Sequence, residues 1–308
     1  MIITRCWRKM KKRDLSYAYL MVAFSAILYG CESVTVKLAY GGGWTVFSLM
    51  AARFTVAMLV FAAAVKISGS PWLVEKGQRW PTLKLCAVYL CAIICLYQAY
   101  DFLSPALATL FFYAYPSMTA IVSRLVYKKP LHTADIVALV LSAVGLILLY
   151  WSSVGKISMI GVMFALLSAT FQGFRYNMSE RLMPKVTIVT YNFNTVTIVT
   201  VVGWLICALG GAGDFAFANV SASGWLTLLA LGLVISSGAT FLTMKYIPKV
   251  GAVVTSLLML LEPPMAAGLG WLVFGDKLSG WQLVGGGLIL ASVMLPVIFR
   301  EKSSQVNA

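Results

Sequence analysis

Apolar runs of about 20 residues recur along the chain, and short polar or basic connections separate them. A run of this length can cross the hydrocarbon core of a bilayer as a helix, in which every backbone polar group is bonded within the segment. Segments of about ten alternating residues, which would indicate a transmembrane barrel, are not seen. The pattern therefore predicts an all-α membrane protein with ten transmembrane helices. They cover Ser16–Leu38, Thr45–Ile67, Leu83–Leu103, Pro105–Tyr127, Ala134–Tyr150, Met159–Ser179, Ile188–Leu209, Gly224–Tyr246, Gly251–Phe274 and Gly280–Phe299.

The order of these helices predicts two related halves. When Phe111–Leu131 is placed over Leu257–Leu278, Pro116 meets Pro263, and the first predicted helix likewise overlays the sixth. Because five is an odd number, two five-helix repeats enter the membrane in opposite directions. Inverted repeats of this kind suit alternating access, with a solute held near the midplane between the halves. The predicted organisation is a basic N-terminal segment (1–15), a first repeat (16–150), a second repeat (159–299) and a tail (300–308).

The distribution of charge predicts the orientation of the chain. Of its 308 residues 60% are hydrophobic and only 11% charged, and the formal net charge is +14. Basic residues concentrate in the N-terminal segment and in the connections on its side, whereas the opposite side holds only Lys37, Lys156 and Lys277. This bias predicts cytoplasmic termini, and we expect a bacterial-type plasma (inner) membrane. The charge is explained by topology and by contact with the lipid bilayer, so we expect no nucleic-acid partner.

Four segments of the sequence carry a recognisable combination of motifs. They are Tyr29–Lys37 (YGCESVTVK), Ser48–Ala57 (SLMAARFTVA), Pro105–Ile121 (PALATLFFYAYPSMTAI) and Gly251–Leu290, which includes LEPPMAAGLGWLVFGDKL. Together they resemble the EamA branch of the drug/metabolite transporter superfamily. The chain has Gly275-Asp276 where family members usually carry Gly-Glu, and Lys128-Lys129 stands at the corresponding place in the first half. The resemblance implies ten helices and transport of small metabolites, often export, without fixing the solute.

Glu262 is the only acid near the middle of a predicted helix, and two prolines follow it. A charge at the bilayer centre costs at least about 2.5–3.5 kcal/mol, so it needs a partner or a cavity. Pro263 and Pro264 donate no backbone hydrogen bond, which predicts a kink with exposed carbonyl groups, and Pro116 predicts the same in the first half. We therefore hypothesise that Glu262 faces a central cavity and contacts a solute or a proton. The alternative is a protonated side chain that only caps a freed carbonyl or a tyrosine.

Polar and aromatic residues within the predicted helices are further candidates for contact with the solute. They are Tyr29, Tyr97, Tyr115, Gln172, Ser236, Thr240, Thr255 and Met259. Thr255 and Met259 share the helical stripe of Glu262, and Tyr115 takes its place in the repeat. For several of them a plainer explanation stays open. Tyrosines also occupy interfacial belts, and Ser and Thr hydroxyls often bond to their own helix.

Glu32 and Arg175 lie at equivalent positions of the first and sixth predicted helices, within polar stripes that face protein or water instead of lipid. One hypothesis is that they belong to an outer and an inner gate. The alternative is that each forms a static ion pair, Glu32 with Arg53 or Lys37, and Arg175 with Glu180.

The sequence favours transport over catalysis. His132 is the only histidine and the cysteines form no CxxC pair, so we expect no enzyme activity, no metal and no other cofactor. The leading prediction is a secondary active transporter that exports amino acids or related solutes by alternating access, with proton coupling left open. The alternative is an organic-cation transporter of the choline type, because aromatic faces attract ammonium groups. A non-transporting assembly factor or lipid-modifying protein is a remoter alternative, and we expect a monomer or a weak homodimer.

Overall fold

A computed structural model describes residues 2–151, 158–210 and 219–306, and within these ranges the chain forms helices and turns without a strand. Lys156, one of the basic residues predicted on the outer side, lies outside the described residues. The α-helices are α1 (Ile2–Gly30), α2 (Glu32–Gly41), α3 (Val46–Ser68), α4 (Lys76–Phe102), α5 (Pro105–Phe112), α6 (Tyr115–Leu125), α7 (Thr133–Leu149), α8 (Met159–Leu182), α9 (Ile188–Gly210), α10 (Ala222–Ala230), α11 (Thr240–Val250), α12 (Ala252–Leu258), α13 (Glu262–Phe274) and α14 (Gly280–Val306). A π-helical segment, Leu231–Ala239, joins α10 to α11.

Within the described residues, eight helical segments are long and apolar enough to cross a membrane. They are Asp14–Gly41, Ser48–Ser68, Lys76–Phe102, Pro105–Leu125, Ile188–Leu209, Ala222–Val250, Ala252–Phe274 and Gly280–Phe299. These eight correspond to eight of the ten predicted helices. At the fifth and sixth predicted positions lie α7, which is apolar but has only 17 residues, and α8, which has 24 residues and carries Gln172, Arg175 and Arg181. The chain is thus an all-α, multi-pass membrane protein.

Three of the predicted helices are interrupted near their middle. The first breaks between Gly30 and Glu32, and the fourth breaks between α5 and α6, one turn before Pro116 enters α6. In the ninth, a 3₁₀ turn at Met259–Leu261 separates α12 from α13, and Pro263 and Pro264 lie in the first turn of α13. A proline is tolerated in a first turn because its missing N–H would have no partner there. In the fourth and ninth predicted helices the break therefore comes just before the prolines.

The main helix contacts join the two halves of the chain. Along their lengths α3 packs on α9, α4 on α8, and α7 on α14, while α1 packs on α11. The α7–α14 contact is close, since a Cβ on Gly285 would lie 2.5 Å from the carbonyl oxygen of Gly145. The largest buried apolar cluster is built mainly from α1, α6, α7, α8, α11, α12 and α14, so the core lies between the halves.

Candidate functional site

Glu262 is the first residue of α13 and lies directly after the 3₁₀ turn. Its side chain is half-buried, and the hydroxyl group of Tyr113 donates a hydrogen bond to its carboxylate. A helix N-terminus favours a negative charge, because the first backbone N–H groups point outward from the helix. The break in the ninth predicted helix thus holds an acidic group inside the protein, at the place where the core of the two halves meets.

Tyrosines surround this carboxylate. Tyr100, Tyr113, Tyr115, Tyr150 and Tyr176 all lie close enough to Glu262 to interact with it electrostatically. The rings of Tyr115 and Tyr176 are stacked, with centroids 5.7 Å apart and planes at 22°. Tyr113 packs 6.1 Å from Tyr115, centroid to centroid. The site combines hydroxyl groups, which can bond to a polar solute, with ring faces that attract cations.

Glu32 and Arg53 form an ion pair that joins α2 to α3. Tyr97 and Tyr40 lie within electrostatic range of both charges, and Glu32 also interacts electrostatically with Glu262. Of the two partners predicted for Glu32, Arg53 is therefore the one that it contacts. Lys37 instead lies over the ring of Phe274, 3.8 Å from the centroid.

The predicted ion pair of Arg175 with Glu180 is wrong. Glu180 pairs with Lys129, at 2.5 Å between Oε1 and Nζ, and its Oε2 accepts a hydrogen bond of 3.0 Å from the backbone N–H of Ala252. Residues five apart on a helix point about 140° away from each other, so Arg175 and Glu180 lie on different faces of α8. Glu180 consequently connects the end of α8 to the connection after α6 and to the start of α12.

Arg175 lies on the other face of α8, beside a cavity. Its guanidinium group is 3.9 Å from the centroid of the Tyr89 ring, and Nη1 donates a 3.4 Å hydrogen bond to Oε1 of Gln172. The cavity has a volume of about 10 Å³, which corresponds to roughly one water molecule. Its lining comprises Phe54, Tyr89, Arg175, Tyr191, Asn192, Thr195, Val196, Val199, Ser236, Thr240 and Met244.

The other predicted contact residues lie in three places. Ser236 and Thr240 line the cavity at Arg175, and Tyr29 bonds to Thr240 at 2.8 Å between the hydroxyl oxygens. Tyr97 belongs to the surroundings of the Glu32–Arg53 ion pair. Thr255 and Met259 are fully buried in α12 and the following 3₁₀ turn, and the hydroxyl group of Thr255 has no hydrogen-bond partner. The structure thus places these residues at the cavity, beside the ion pair and in the core.

Six tyrosines near Glu262 or Arg175 are absent from the contact residues predicted from the sequence: Tyr89, Tyr100, Tyr113, Tyr150, Tyr176 and Tyr191. Tyr89 and Tyr100 are 11 residues apart, a spacing that places them on one face of a helix, so periodicity could have revealed this stripe. No such signal exists for Tyr113. In an unbroken helix it would point away from Tyr115, and only the break after α5 brings both rings to Glu262. Among the described residues, no group of His, Cys, Asp and Glu is arranged to hold a metal.

Comparison with known proteins identifies the family. The sequence profile of the EamA-like transporter family matches residues 16–151 and, a second time, residues 159–298. The chain therefore belongs to the EamA-like transporter family, within the drug/metabolite transporter superfamily, and its class is a multi-pass membrane transporter. A solved structure named only as "Crystal structure of protein" has a TM-score of 0.78 at 19% identity. The match covers 92% of this chain and 99% of that one, and it shows a common fold. No curated protein matches the chain.

Proposed function

We propose that the chain is a secondary active transporter that exports amino acids or related small organic solutes by alternating access. The observation that carries this proposal is the set of polar and charged groups, from Glu262 to Arg175, enclosed between the two halves of an otherwise apolar helical protein. Charged groups inside a membrane protein are costly and mark solute or ion pathways. Membership of a family of transporters supports the same conclusion.

The proposal includes ten transmembrane helices in two inverted five-helix repeats, with α7 and α8 as the fifth and sixth. It is supported by the two family matches and by helix contacts that pair the halves, since α4 packs on α8 as α1 packs on α11. We place the protein in a bacterial-type plasma (inner) membrane with both termini in the cytoplasm. Gly285 packs on Gly145 within the chain, so this close helix contact is not available to a second copy, and this supports a monomer or a weak homodimer.

Glu262 is the group through which transport would be coupled to protons. It is half-buried, it is bonded to Tyr113, and it is not paired with a described basic residue. A carboxyl group in such surroundings can exist in either protonation state. The second candidate function, transport of an organic cation, is favoured by the tyrosine rings around the same carboxylate, because ring faces attract ammonium groups.

Flux through the purified protein in proteoliposomes tests these functions. Vesicles loaded with labelled amino acids or labelled choline would be compared with and without an imposed pH gradient, for the wild type and Glu262→Gln. We expect amino-acid efflux from the wild type, and loss of its dependence on the pH gradient in Glu262→Gln with binding retained. Efflux of choline alone, with weakened binding in Glu262→Gln, would establish the organic-cation function. Flux of neither solute would contradict both functions.

A further inference from the structure

Arg175 is a buried positive charge without a carboxylate partner among the residues that the structure describes. Arg175 is only 8% exposed, and its Nε atom makes no hydrogen bond. The groups that interact with it electrostatically include the hydroxyl groups of Tyr29, Tyr89, Tyr176 and Tyr191 and the thiol group of Cys86. A guanidinium group has five N–H donors, and here one of them is used, for the 3.4 Å bond to Gln172.

The second buried arginine of the site provides a contrast. Arg53 is paired with Glu32, as expected for a charge inside a membrane protein, where an unpaired ion is strongly unfavourable. Arg175 has the face of Tyr89 and one amide oxygen, which compensate its charge only in part. Arg53 is thus neutralised by a carboxylate, whereas Arg175 contacts only uncharged groups.

A small cavity lies on one side of Arg175. The residues that line the cavity beside the guanidinium group include four with a hydroxyl or amide side chain, Tyr191, Asn192, Thr195 and Ser236, together with aromatic and aliphatic residues. In this conformation it holds roughly one water molecule, so it must widen to admit a solute. Met244, whose side chain is unbranched and adaptable, forms part of its wall.

We propose that Arg175 binds the carboxylate of the solute, so that the ligand of this site is an anion or a zwitterion and not a simple organic cation. A guanidinium group can bind both oxygens of a carboxylate through two parallel hydrogen bonds. Tyr176 interacts electrostatically with both Arg175 and Glu262, so the basic and the acidic group of the site lie near the same side chain. A zwitterion has a carboxylate for Arg175 and an ammonium group for Glu262. This inference rests on the proposed function, and it selects the amino-acid form of that function over the choline type.

Thermal unfolding of the full-length protein in detergent tests the inference with matched ligands. The probes are L-amino acids, the corresponding amino-acid amides, acetate and choline. In the amides a neutral carboxamide replaces the carboxylate. The proteins are the wild type, Arg175→Gln, Arg175→Lys and, as a control at the exposed end of the same helix, Arg181→Gln. We expect amino acids to raise the unfolding temperature of the wild type and of Arg181→Gln, while the amides and choline have no effect. Binding to Arg175→Gln should be at least roughly tenfold weaker, and Arg175→Lys should retain part of it.

A second readout separates a binding role from a structural one. If Arg175 serves to bind a ligand, we expect the unliganded Arg175→Gln variant to unfold at the same temperature as the wild type or at a higher one. The reason is that the substitution removes an uncompensated buried charge. The inference is overturned if the amides stabilise the wild type as well as the amino acids do, if no carboxylate stabilises it, or if Arg175→Gln is clearly less stable and still binds. Stabilisation by amino acids without flux in proteoliposomes would support the carboxylate site and contradict the transport function.

Discussion

Gly30 and Met265 pack so closely that a Cβ atom on Gly30 would lie 2.6 Å from the Cβ of Met265. The same atom would lie 3.3 Å from the carbonyl oxygen of Glu262. The end of α1 therefore rests directly on the first turn of α13, where the broken helix presents its acidic residue. A larger residue at position 30 would push this turn away from the core.

Gly173 makes the corresponding contact in the other half of the chain. A Cβ on Gly173 would lie 2.9 Å from the carbonyl carbon of Met118, in the first turns of α6. Met118 and Met265 are separated by the same number of residues as Pro116 and Pro263, which the repeat superimposes. Each half thus contributes a glycine that packs on the proline-containing helix of the other half, as expected of two inverted repeats.

Alanine at Gly30 should destabilise the protein and impair transport. The Cβ would meet a Cβ and the backbone, neither of which can turn aside, and overpacking of this kind costs about 1–3 kcal/mol. The measurement is the unfolding temperature in detergent together with flux in proteoliposomes. Gly268→Ala, on α13 with nothing within 4 Å of the added atom, is the matched control and should unfold like the wild type. If Gly30→Ala and Gly268→Ala have the same unfolding temperature and the same flux, the contact of Gly30 with α13 is looser than described.

Loss of one partner of the Glu32–Arg53 ion pair should be more harmful than loss of both. Glu32→Gln leaves the Arg53 charge half-buried without a carboxylate, which we expect to lower the free energy of unfolding by about 1–3 kcal/mol. The double variant Glu32→Gln/Arg53→Met removes both charges and should recover much of this loss. Unfolding temperatures of the single and double variants form a double-mutant cycle. If the effects of the two single substitutions on stability are additive, the ion pair contributes nothing to stability. In a separate test, unchanged flux through the charge-reversal variant Glu32→Arg would exclude a role of Glu32 in a gate.

The sequence predicts the framework of this protein better than it predicts the site. Apolar runs, two halves and helix breaks at proline follow from rules that act within one segment. Contacts between residues that are distant in sequence do not follow from such rules. Glu180 bonds to Lys129 and to Ala252, although Arg175 lies closer to it in sequence. The place of Tyr113 depends on a break whose geometry periodicity cannot give. Glu262 stood out because an acid among apolar residues is informative in itself.

Glu180 should hold closed the side of the protein that the charge distribution predicts to be cytoplasmic. It bonds to Lys129 and to the N–H of Ala252, and so joins the two halves at one end of α8. In Glu180→Ala we expect Cys86, which is buried and bonded to the cavity residue Thr195, to react faster with a membrane-impermeant thiol reagent. The rate would be measured in a protein whose other cysteines are replaced by serine.

The exposed acid Glu75 provides the control for this experiment, since Glu75→Ala removes a carboxylate at the start of α4 and breaks no described ion pair. It should leave the reactivity of Cys86 unchanged. Lys129→Met, which removes the other member of the ion pair, should accelerate labelling in the same direction as Glu180→Ala. If Cys86 is labelled at the wild-type rate in both variants, the ion pair does not close this side.

Tyr113→Phe should weaken the function of Glu262 without removing its carboxyl group. The substitution deletes the hydroxyl group that donates to Glu262 and keeps the ring packed 6.1 Å from Tyr115. A hydrogen bond to a charged group contributes about 1.5–3 kcal/mol, so an ionised Glu262 in the working site predicts a loss of roughly 10- to 100-fold in the flux constant kcat/KM. Tyr150→Phe is the control, because Tyr150 interacts with Glu262 electrostatically and no hydrogen bond joins them. Its effect should be much smaller. If both variants transport like the wild type while Glu262→Gln does not, the carboxyl group acts without the hydrogen bond from Tyr113.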